Sequence, residues 1–194
     1  MEKKMKKKSL IILGSVAVVI ILIVSIFVGS YNGLVTANED VNGKAANIQT
    51  QLQRRGDLIP NLVNTVKGYA AHEEKIFTEV ADARSKLAGA NGVKEQSEAN
   101  AQLDGAISRL LMVVERYPDL KANQNFMDLQ DELAGTENRI AVARKDYNDS
   151  AKKYNTDIRR FPKNIFASMF GFKSVDYFEA SEGSQQVPNV NFGS

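Results

Sequence analysis

His72 is the only histidine in this sequence and the side chain best suited to carry a phosphoryl group. Four-helix phosphotransfer domains display a reactive histidine on a helix, followed by lysine after three residues and glycine after four. Lys75 fits this pattern, but Ile76 stands where glycine would give access to the ring. We therefore interpret His72 as a solvated residue on a helix surface. Phosphotransfer through His72 stays as the less favoured alternative.

Carboxylates are numerous and include the adjacent pairs Glu73–Glu74 and Asp131–Glu132. A di-metal site in a helical bundle needs glutamates from two helices and Glu-x-x-His segments on the other two. The chain has one histidine, no Glu-x-x-His segment and no cysteine. Phosphate-loop, dinucleotide-loop and Gly-x-Ser-x-Gly patterns are also missing from the sequence. We expect no catalytic residue, no metal and no cofactor, and we interpret the carboxylates as solvated surface charge.

Positive charge is concentrated at the start of the chain. The net charge is +2, yet the first eight residues hold five lysines and one glutamate, which leaves 20 basic and 22 acidic residues elsewhere. Nucleic-acid binding needs clustered positive charge to displace counterions from phosphates. The slightly acidic remainder predicts no nucleic-acid partner.

The stretch from Ser9 to Asn38 is uncharged, and residues 10–28 are almost entirely Leu, Ile, Val, Phe and Ala. Nineteen helical residues extend about 29 Å, close to the thickness of the hydrocarbon core of a bilayer. We therefore predict a basic segment at 1–8 and a transmembrane anchor at 9–30 that contacts lipid through residues 10–28. The alternative is a signal peptide cleaved after Ala37. The apolar core is longer than is usual for one, and the site lies far beyond its end.

Charges flanking the apolar stretch predict its orientation. The lysine cluster before it, together with Glu39 and Asp40 after it, predicts a cytoplasmic N-terminus and an extracytoplasmic body. Arg54 and Arg55 lie close enough to leave the reverse orientation as an alternative.

Apolar residues then recur at steps of three and four, which is typical of amphipathic helices. We predict an all-α fold, in which residues 31–161 form an antiparallel up-and-down bundle of four long helices. Turns are expected at residues 54–60, 88–92 and 117–125. The first turn is predicted because Gly56 and Asp57 offer a helix end and a helix start, with Pro60 in the next first turn. The predicted core stripes are Leu34, Val41, Ala45, Ile48 and Leu52; Leu62, Val66, Tyr69, Ile76, Val80 and Leu87; Leu103, Ile107, Leu110, Val114 and Tyr117; and Phe126, Leu129, Leu133, Thr136, Ile140, Ala143, Tyr147, Tyr154, Ile158 and Phe161.

In an antiparallel bundle, the first and third turns lie together at the membrane-distal end, which we call the predicted tip. Capping and ion pairing between turns would explain its polar residues, but a rigid docking surface for a protein is the functional hypothesis. The candidate partner-binding residues are Arg54, Arg55, Asp57, Asn61, Arg116, Asp119, Lys121 and Asn123.

The C-terminal part is rich in phenylalanine. Pro162 and Gly171 bound a predicted short amphipathic helix within an aromatic segment at 162–180, and a polar tail follows at 181–194. Packing on the end of the bundle and lying on the bilayer are both open for this helix. The candidate membrane-interface residues are Arg160, Lys163, Ile165, Phe166, Met169 and Phe170.

Several sequence blocks, in the same order, resemble the LemA family. They include residues 31–35 (YNGLV), 53–63 (QRRGDLIPNLV), 115–123 (ERYPDLKAN), 137–144 (ENRIAVAR) and the closing Pro188-x-Val190-x-Phe192. The resemblance implies a bacterial, single-pass, N-terminally anchored membrane protein with a long helical bundle and no established reaction. It also implies protein partners near membrane peptidases or the envelope stress response.

These observations together favour a non-enzymatic scaffold or adaptor for an unidentified protein partner at the bacterial envelope. The first alternative is a lipid-interacting or membrane-shaping protein that acts through the C-terminal aromatic helix. The sequence leaves a homo-oligomer open.

Overall fold

The computed structural model describes residues 2–179, with side chains from residue 12, and every regular element in this part of the chain is a helix. This confirms the predicted all-α class. The polar tail predicted at 181–194 lies outside the described residues. The helices are α1 (Glu2–Lys67), α2 (Glu74–Gly89), α3 (Gly92–Val114), α4 (Pro118–Lys121), α5 (Gln124–Asp157) and α6 (Lys163–Phe170).

The chain divides into two compact units. Of the described residues, 2–42 and 150–175 form unit 1, and 43–149 and 176–179 form unit 2. Both α1 and α5 contribute residues to each unit.

Unit 1 contains the apolar N-terminal part of α1. From Ile12 onward, this helix is long and apolar enough, by length and composition, to cross a membrane. Its large apolar side chains are exposed along this segment, from 36% at Phe27 to 72% at Leu13. Further along unit 1, Leu34 and Tyr154 are almost fully buried.

The short helix α6 also belongs to unit 1 and confirms the predicted short helix after Pro162. It ends at Gly171, whose φ of 76° is in the left-handed region that glycine adopts without strain. The N–H of Phe172 then donates to the carbonyl of Ala167 at 2.9 Å. In the chain that follows, Val175 is held by the side-chain amide of Asn155, which bonds both its N–H and its carbonyl.

The turn predicted at residues 54–60 is wrong, because α1 continues through Gly56 and Pro60 to Lys67. Pro60 has no N–H to donate to the carbonyl of Gly56, which lies four residues earlier. Arg84 of α2 donates its Nε–H to that carbonyl at 2.7 Å. The carbonyl of Gly56, which receives no hydrogen bond from Pro60, is therefore bonded by Arg84, and the helix continues.

In unit 2, α1 ends at Lys67, and a turn at residues 68–73 leads into α2. The turn predicted at residues 88–92 is confirmed, since two residues separate α2 from α3. The third predicted helix also ends before Pro118 as expected, because α3 ends at Val114. Gly92, the first residue of α3, has a φ of 77°, which glycine adopts without strain.

Most of the predicted core positions are buried, with two clear exceptions. Tyr69 is 44% exposed because it lies in the turn after α1, and Phe161 is 76% exposed because α5 ends at Asp157. The buried members of the stripes are Leu34, Val41, Ile48, Leu52, Leu62, Val66, Ile76, Val80, Leu87, Leu103, Ile107, Leu110, Val114, Phe126, Leu133, Thr136, Ile140, Ala143, Tyr147 and Tyr154.

Residues 176–178, in unit 2, lie along α5. The hydroxyl of Tyr147 donates to the carbonyl of Asp176 at 2.9 Å. The amide of Asn148 bonds both the carbonyl and the N–H of Phe178, at 2.8 and 2.9 Å. The buried Phe178 ring meets Tyr147 edge to face, at 5.2 Å between centroids.

Candidate functional site

The candidate partner-binding residues do not form one tip. Because α1 does not break at Gly56, four of them lie within the helix, before its end at Lys67. The other four lie between α3 and α5. Those within α1 are Arg54, Arg55, Asp57 and Asn61, and those between α3 and α5 are Arg116, Asp119, Lys121 and Asn123.

The turns at residues 68–73 and 115–123 instead meet each other, and we call their exposed residues the turn surface. Arg116 pairs with the carboxylate of Glu73 at 2.7 Å, and the Tyr117 hydroxyl contacts the same oxygen at 3.5 Å. The amide of Asn123 donates to the Tyr69 hydroxyl at 3.0 Å. These bonds connect two turns that are more than 40 residues apart in sequence.

Several side chains of the turn surface remain accessible despite these bonds. The Arg116 side chain is 63% exposed, and Lys121, which pairs with Glu115 at 2.7 Å, is 60% exposed. His72 is exposed in the 68–73 turn, and not on a helix as predicted. The surface combines an aromatic residue, two cations and amides, a composition suited to protein recognition.

Arg55 has a different environment, since its side chain is only 7% exposed inside unit 2. Its guanidinium donates to Asn100 Oδ1 at 3.1 Å, lies 2.5 Å from Asp104 Oδ1, and also pairs with Glu137. Asn100 in turn donates to the other oxygen of Asp104 at 2.9 Å. Helices α1, α3 and α5 each contribute to this group, which we call the polar layer.

Burial dominates the electrostatics of the polar layer. It raises the pKa of Asp104 above 3.8, although the Arg55 charge acts in the opposite direction. Burial also lowers the pKa of Arg144, a residue of α5 beside the polar layer, against the attraction of Glu137 and Asp104. Such an arrangement holds charges in place, and we interpret the polar layer as structural.

The sequence contained a signal for the burial of Arg55. It falls between Leu52 and Ile59, at the alternating steps of four and three that connect Ile48 to Leu62. Both flanking residues are buried. Arg55 therefore occupies a core position of α1. This spacing was not recognised because a turn was predicted at residues 54–60.

The candidate membrane-interface residues lie on or beside α6, in unit 1. Phe166 and Phe170 pack edge to face on Phe27 of α1, at 5.1 and 5.8 Å between ring centroids. Ile165 and Met169 are 54% and 58% exposed.

The two basic candidates beside these apolar residues differ in their surroundings. Lys163 pairs with Asp157 at 2.6 Å, and Arg160 is exposed. The short helix therefore packs on the protein with one side and presents apolar and basic groups on another.

A cleft of about 300 Å³ lies in unit 2, beside the Arg84–Gly56 contact. The cleft is lined by Gln49, Leu52, Gln53, Gly56, Asp57, Arg84, Leu87, Ala88, Ala90 and Gln96.

Within the part of the chain whose side chains are described, no group of three or more His, Asp or Glu residues could hold a metal ion.

Comparison with known proteins gives a consistent result. A family model described as the LemA family matches residues 44–192. Magnetosome protein MamQ 2 of Paramagnetospirillum magneticum is 31% identical in an alignment of 175 positions that covers 77% of this chain and 64% of that protein. Magnetosome protein MamQ of Magnetospirillum gryphiswaldense is 32% identical in an alignment of 174 positions that covers 76% of this chain and 64% of that protein. Protein LemA of Metamycoplasma hominis is 27% identical over 158 residues, with 81% and 72% covered. The chain thus spans less than two thirds of the length of the MamQ proteins that it matches.

Proposed function

Because this chain belongs to the LemA family, we propose that it is a non-enzymatic, membrane-anchored adaptor that binds a protein partner at the bacterial envelope. In this proposal, α1 crosses the membrane through its apolar segment, and the turn surface docks the partner. A membrane peptidase or an envelope-stress component is the class of partner that we propose.

The anchor is supported by the exposure of the apolar segment of α1. A helix that carries large apolar side chains all round, none of them buried, is stable in lipid and unfavourable in water. The five lysines before this segment support a cytoplasmic N-terminus.

We further propose that the parts of α1 and α5 in unit 2, together with α2 and α3, form an antiparallel four-helix bundle. Support comes from side-chain hydrogen bonds between the helices and their adjoining turns. Along each pair of helices, a later residue of the first helix bonds an earlier residue of the second, which is the order expected of antiparallel helices. The pairs are Arg54 with Glu132, Tyr69 with Asn123, Glu79 with Arg109 and Lys86 with Gln102.

The observation that carries the docking role is the bonding between the two turns. Because Glu73 is held by Arg116 and Tyr117, and Tyr69 by Asn123, the accessible side chains are ordered before a partner arrives. Ordering in advance lowers the entropy lost on binding. Tyrosine and arginine, which are exposed here, are also the residues that most often dominate interface energies.

Single-cysteine crosslinking of the full-length protein in cells tests this role, since the chain has no native cysteine. We expect Lys121→Cys to crosslink to a discrete partner. The matched control is Arg139→Cys, an exposed position on α5 away from the turns in sequence. Crosslinks of equal yield and identity from both positions would contradict docking at the turn surface.

A further inference from the structure

An apolar face on and beside α6 is left uncovered by unit 1. Ile165 and Met169 lie one turn apart on this helix and are both more than half exposed. Phe161, just before the helix, is 76% exposed. Phe166 and Phe170, in contrast, are in ring contact with α1. Helix α6 thus carries apolar side chains on two sides. The side with Phe166 and Phe170 packs on α1, and the side with Ile165 and Met169 does not.

The position of α6 along α1 indicates what covers the second side. Phe27, on which Phe166 packs, lies within the apolar segment at residues 12–28. Tyr31, one turn later, packs on Phe170 and Phe172 at 4.8 and 6.1 Å between ring centroids. Aromatic residues that follow the end of a membrane-spanning segment are typical of the lipid–water interface. The free side of α6 is therefore level with the end of the segment that we propose to cross the bilayer.

The charges around α6 indicate the kind of lipid. Between Asp157 and Asp176, the sequence has four basic residues and no acidic residue. Lys163 is paired with Asp157, but Arg159, Arg160 and Lys173 are exposed. A short apolar face with exposed cations beside it favours a surface that is apolar inside and negatively charged outside.

We propose that α6 lies in the membrane interface and binds anionic phospholipid. Ile165, Met169 and Phe161 enter the acyl-chain boundary, while Arg159, Arg160 and Lys173 meet the headgroups. The proposal rests on the anchor crossing the bilayer and is independent of docking at the turn surface. It assigns to the protein a second membrane contact, held against the anchor by aromatic packing.

Single-tryptophan fluorescence tests this contact in the full-length protein, because the chain has no native tryptophan. Ile165→Trp and Met169→Trp are reconstituted separately into nanodiscs of phosphatidylcholine and phosphatidylglycerol, with or without brominated acyl chains. Met112→Trp, at an exposed position of α3 in unit 2, is the matched control. Val19→Trp, in the apolar segment of α1, reports on the anchor itself. Circular dichroism confirms the helicity of each variant.

We expect brominated lipid to reduce the fluorescence of Ile165→Trp and Met169→Trp about twofold, with little effect on Met112→Trp. Replacing Arg159, Arg160 and Lys173 by glutamate should weaken quenching at position 165 in anionic discs. Quenching of Val19→Trp without quenching at 165 and 169 would overturn the α6 proposal while leaving the anchor intact. Absence of quenching at Val19→Trp as well would overturn the anchor. Disulfide linkage of two chains through Ile165→Cys, without lipid quenching, would show that a second copy covers this face and would also overturn the proposal.

Discussion

Arg55 holds the polar layer of unit 2 together, since its guanidinium contacts residues of both α3 and α5. Replacing it with alanine would leave Asp104 and Glu137 without their shared cation. We expect Arg55→Ala to lower the free energy of unfolding by roughly 1–3 kcal/mol, because the buried Asn100 and the partly buried Asp104 lose a hydrogen-bond donor. Urea unfolding followed by circular dichroism in detergent measures this change.

The exposed Arg139 is the matched control, and Arg139→Ala should change the free energy of unfolding by less than about 0.5 kcal/mol. Equal effects of the two substitutions would show that the polar layer contributes nothing specific to stability.

Asp104 predicts a pH dependence. Because burial raises its pKa above 3.8 in the folded protein, the folded state binds the proton more tightly than the unfolded state. The contribution of this group is therefore most favourable below pH 3.8 and is lost as the pH rises through the folded-state pKa.

Asp104→Asn removes this titration. The stability of the wild type relative to Asp104→Asn should consequently decrease between pH 3.8 and neutrality, as measured by urea unfolding at several pH values. A difference that stays constant over this range would contradict the raised pKa.

For individual residues, the sequence patterns predicted most of the apolar core but placed Arg55 in a turn. The steps from Ile48 to Leu62 marked Arg55 as a core position, but the sequence did not reveal which carboxylates would meet it. Asp104 and Glu137 are brought to it by α3 and α5, and contacts over such chain distances depend on helix packing that a single sequence does not specify.

Among the elements, the continuity of α1 through Pro60 is the feature that sequence patterns describe least well. Gly56, Asp57 and Pro60 are ordinary signals for a helix end and start, and they outweigh the lone Gly68 where the helix actually breaks. The compensating donor, Arg84, belongs to another helix. Local signals do not include such a donor, which is why the turn was predicted in the wrong place.

A double-mutant cycle tests this explanation. Arg84→Ala should cost about 1–2 kcal/mol of unfolding free energy, since the carbonyl of Gly56 loses its donor. Pro60→Ala restores a backbone N–H at this position, and in that background the cost of Arg84→Ala should fall to less than half. Urea unfolding of the four proteins measures the coupling, and strictly additive effects would refute the role of Arg84.

Asn148 tests how the C-terminal segment is held in unit 2. Asn148→Ala removes both bonds to the backbone of Phe178. The amide of Phe178 should then exchange with solvent roughly tenfold to a hundredfold faster, as measured by hydrogen exchange of the full-length protein. Asn138→Ala, at an exposed position of the same helix, is the control, and unchanged exchange at Phe178 in Asn148→Ala would contradict the role of this clamp.

For the whole molecule, the apolar stretch and the all-α class follow directly from the sequence because each depends on local composition. The docking role does not, since it depends on a partner with its own surface. The position of the docking residues also depended on where α1 ends. Because α1 ends at Lys67 and not at residue 56, Glu73 and Tyr69 take the place of Arg54 and Arg55 beside the second turn, where Glu73 pairs with Arg116 and Tyr69 accepts from Asn123.

The lysine cluster predicts that the turn surface lies outside the cytoplasm. In intact cells, Lys121→Cys should react with a membrane-impermeant maleimide, whereas Lys4→Cys should react only after the cells are opened. The opposite pattern of labelling would establish the reverse orientation.

The adaptor role is tested most directly by proximity labelling in living cells, from a tag placed after Phe192 of the full-length protein. We expect a small set of labelled neighbours that is lost in Arg116→Glu and retained in Arg139→Glu, at equal protein levels. A neighbour set that is the same in both variants and in the wild type would contradict it.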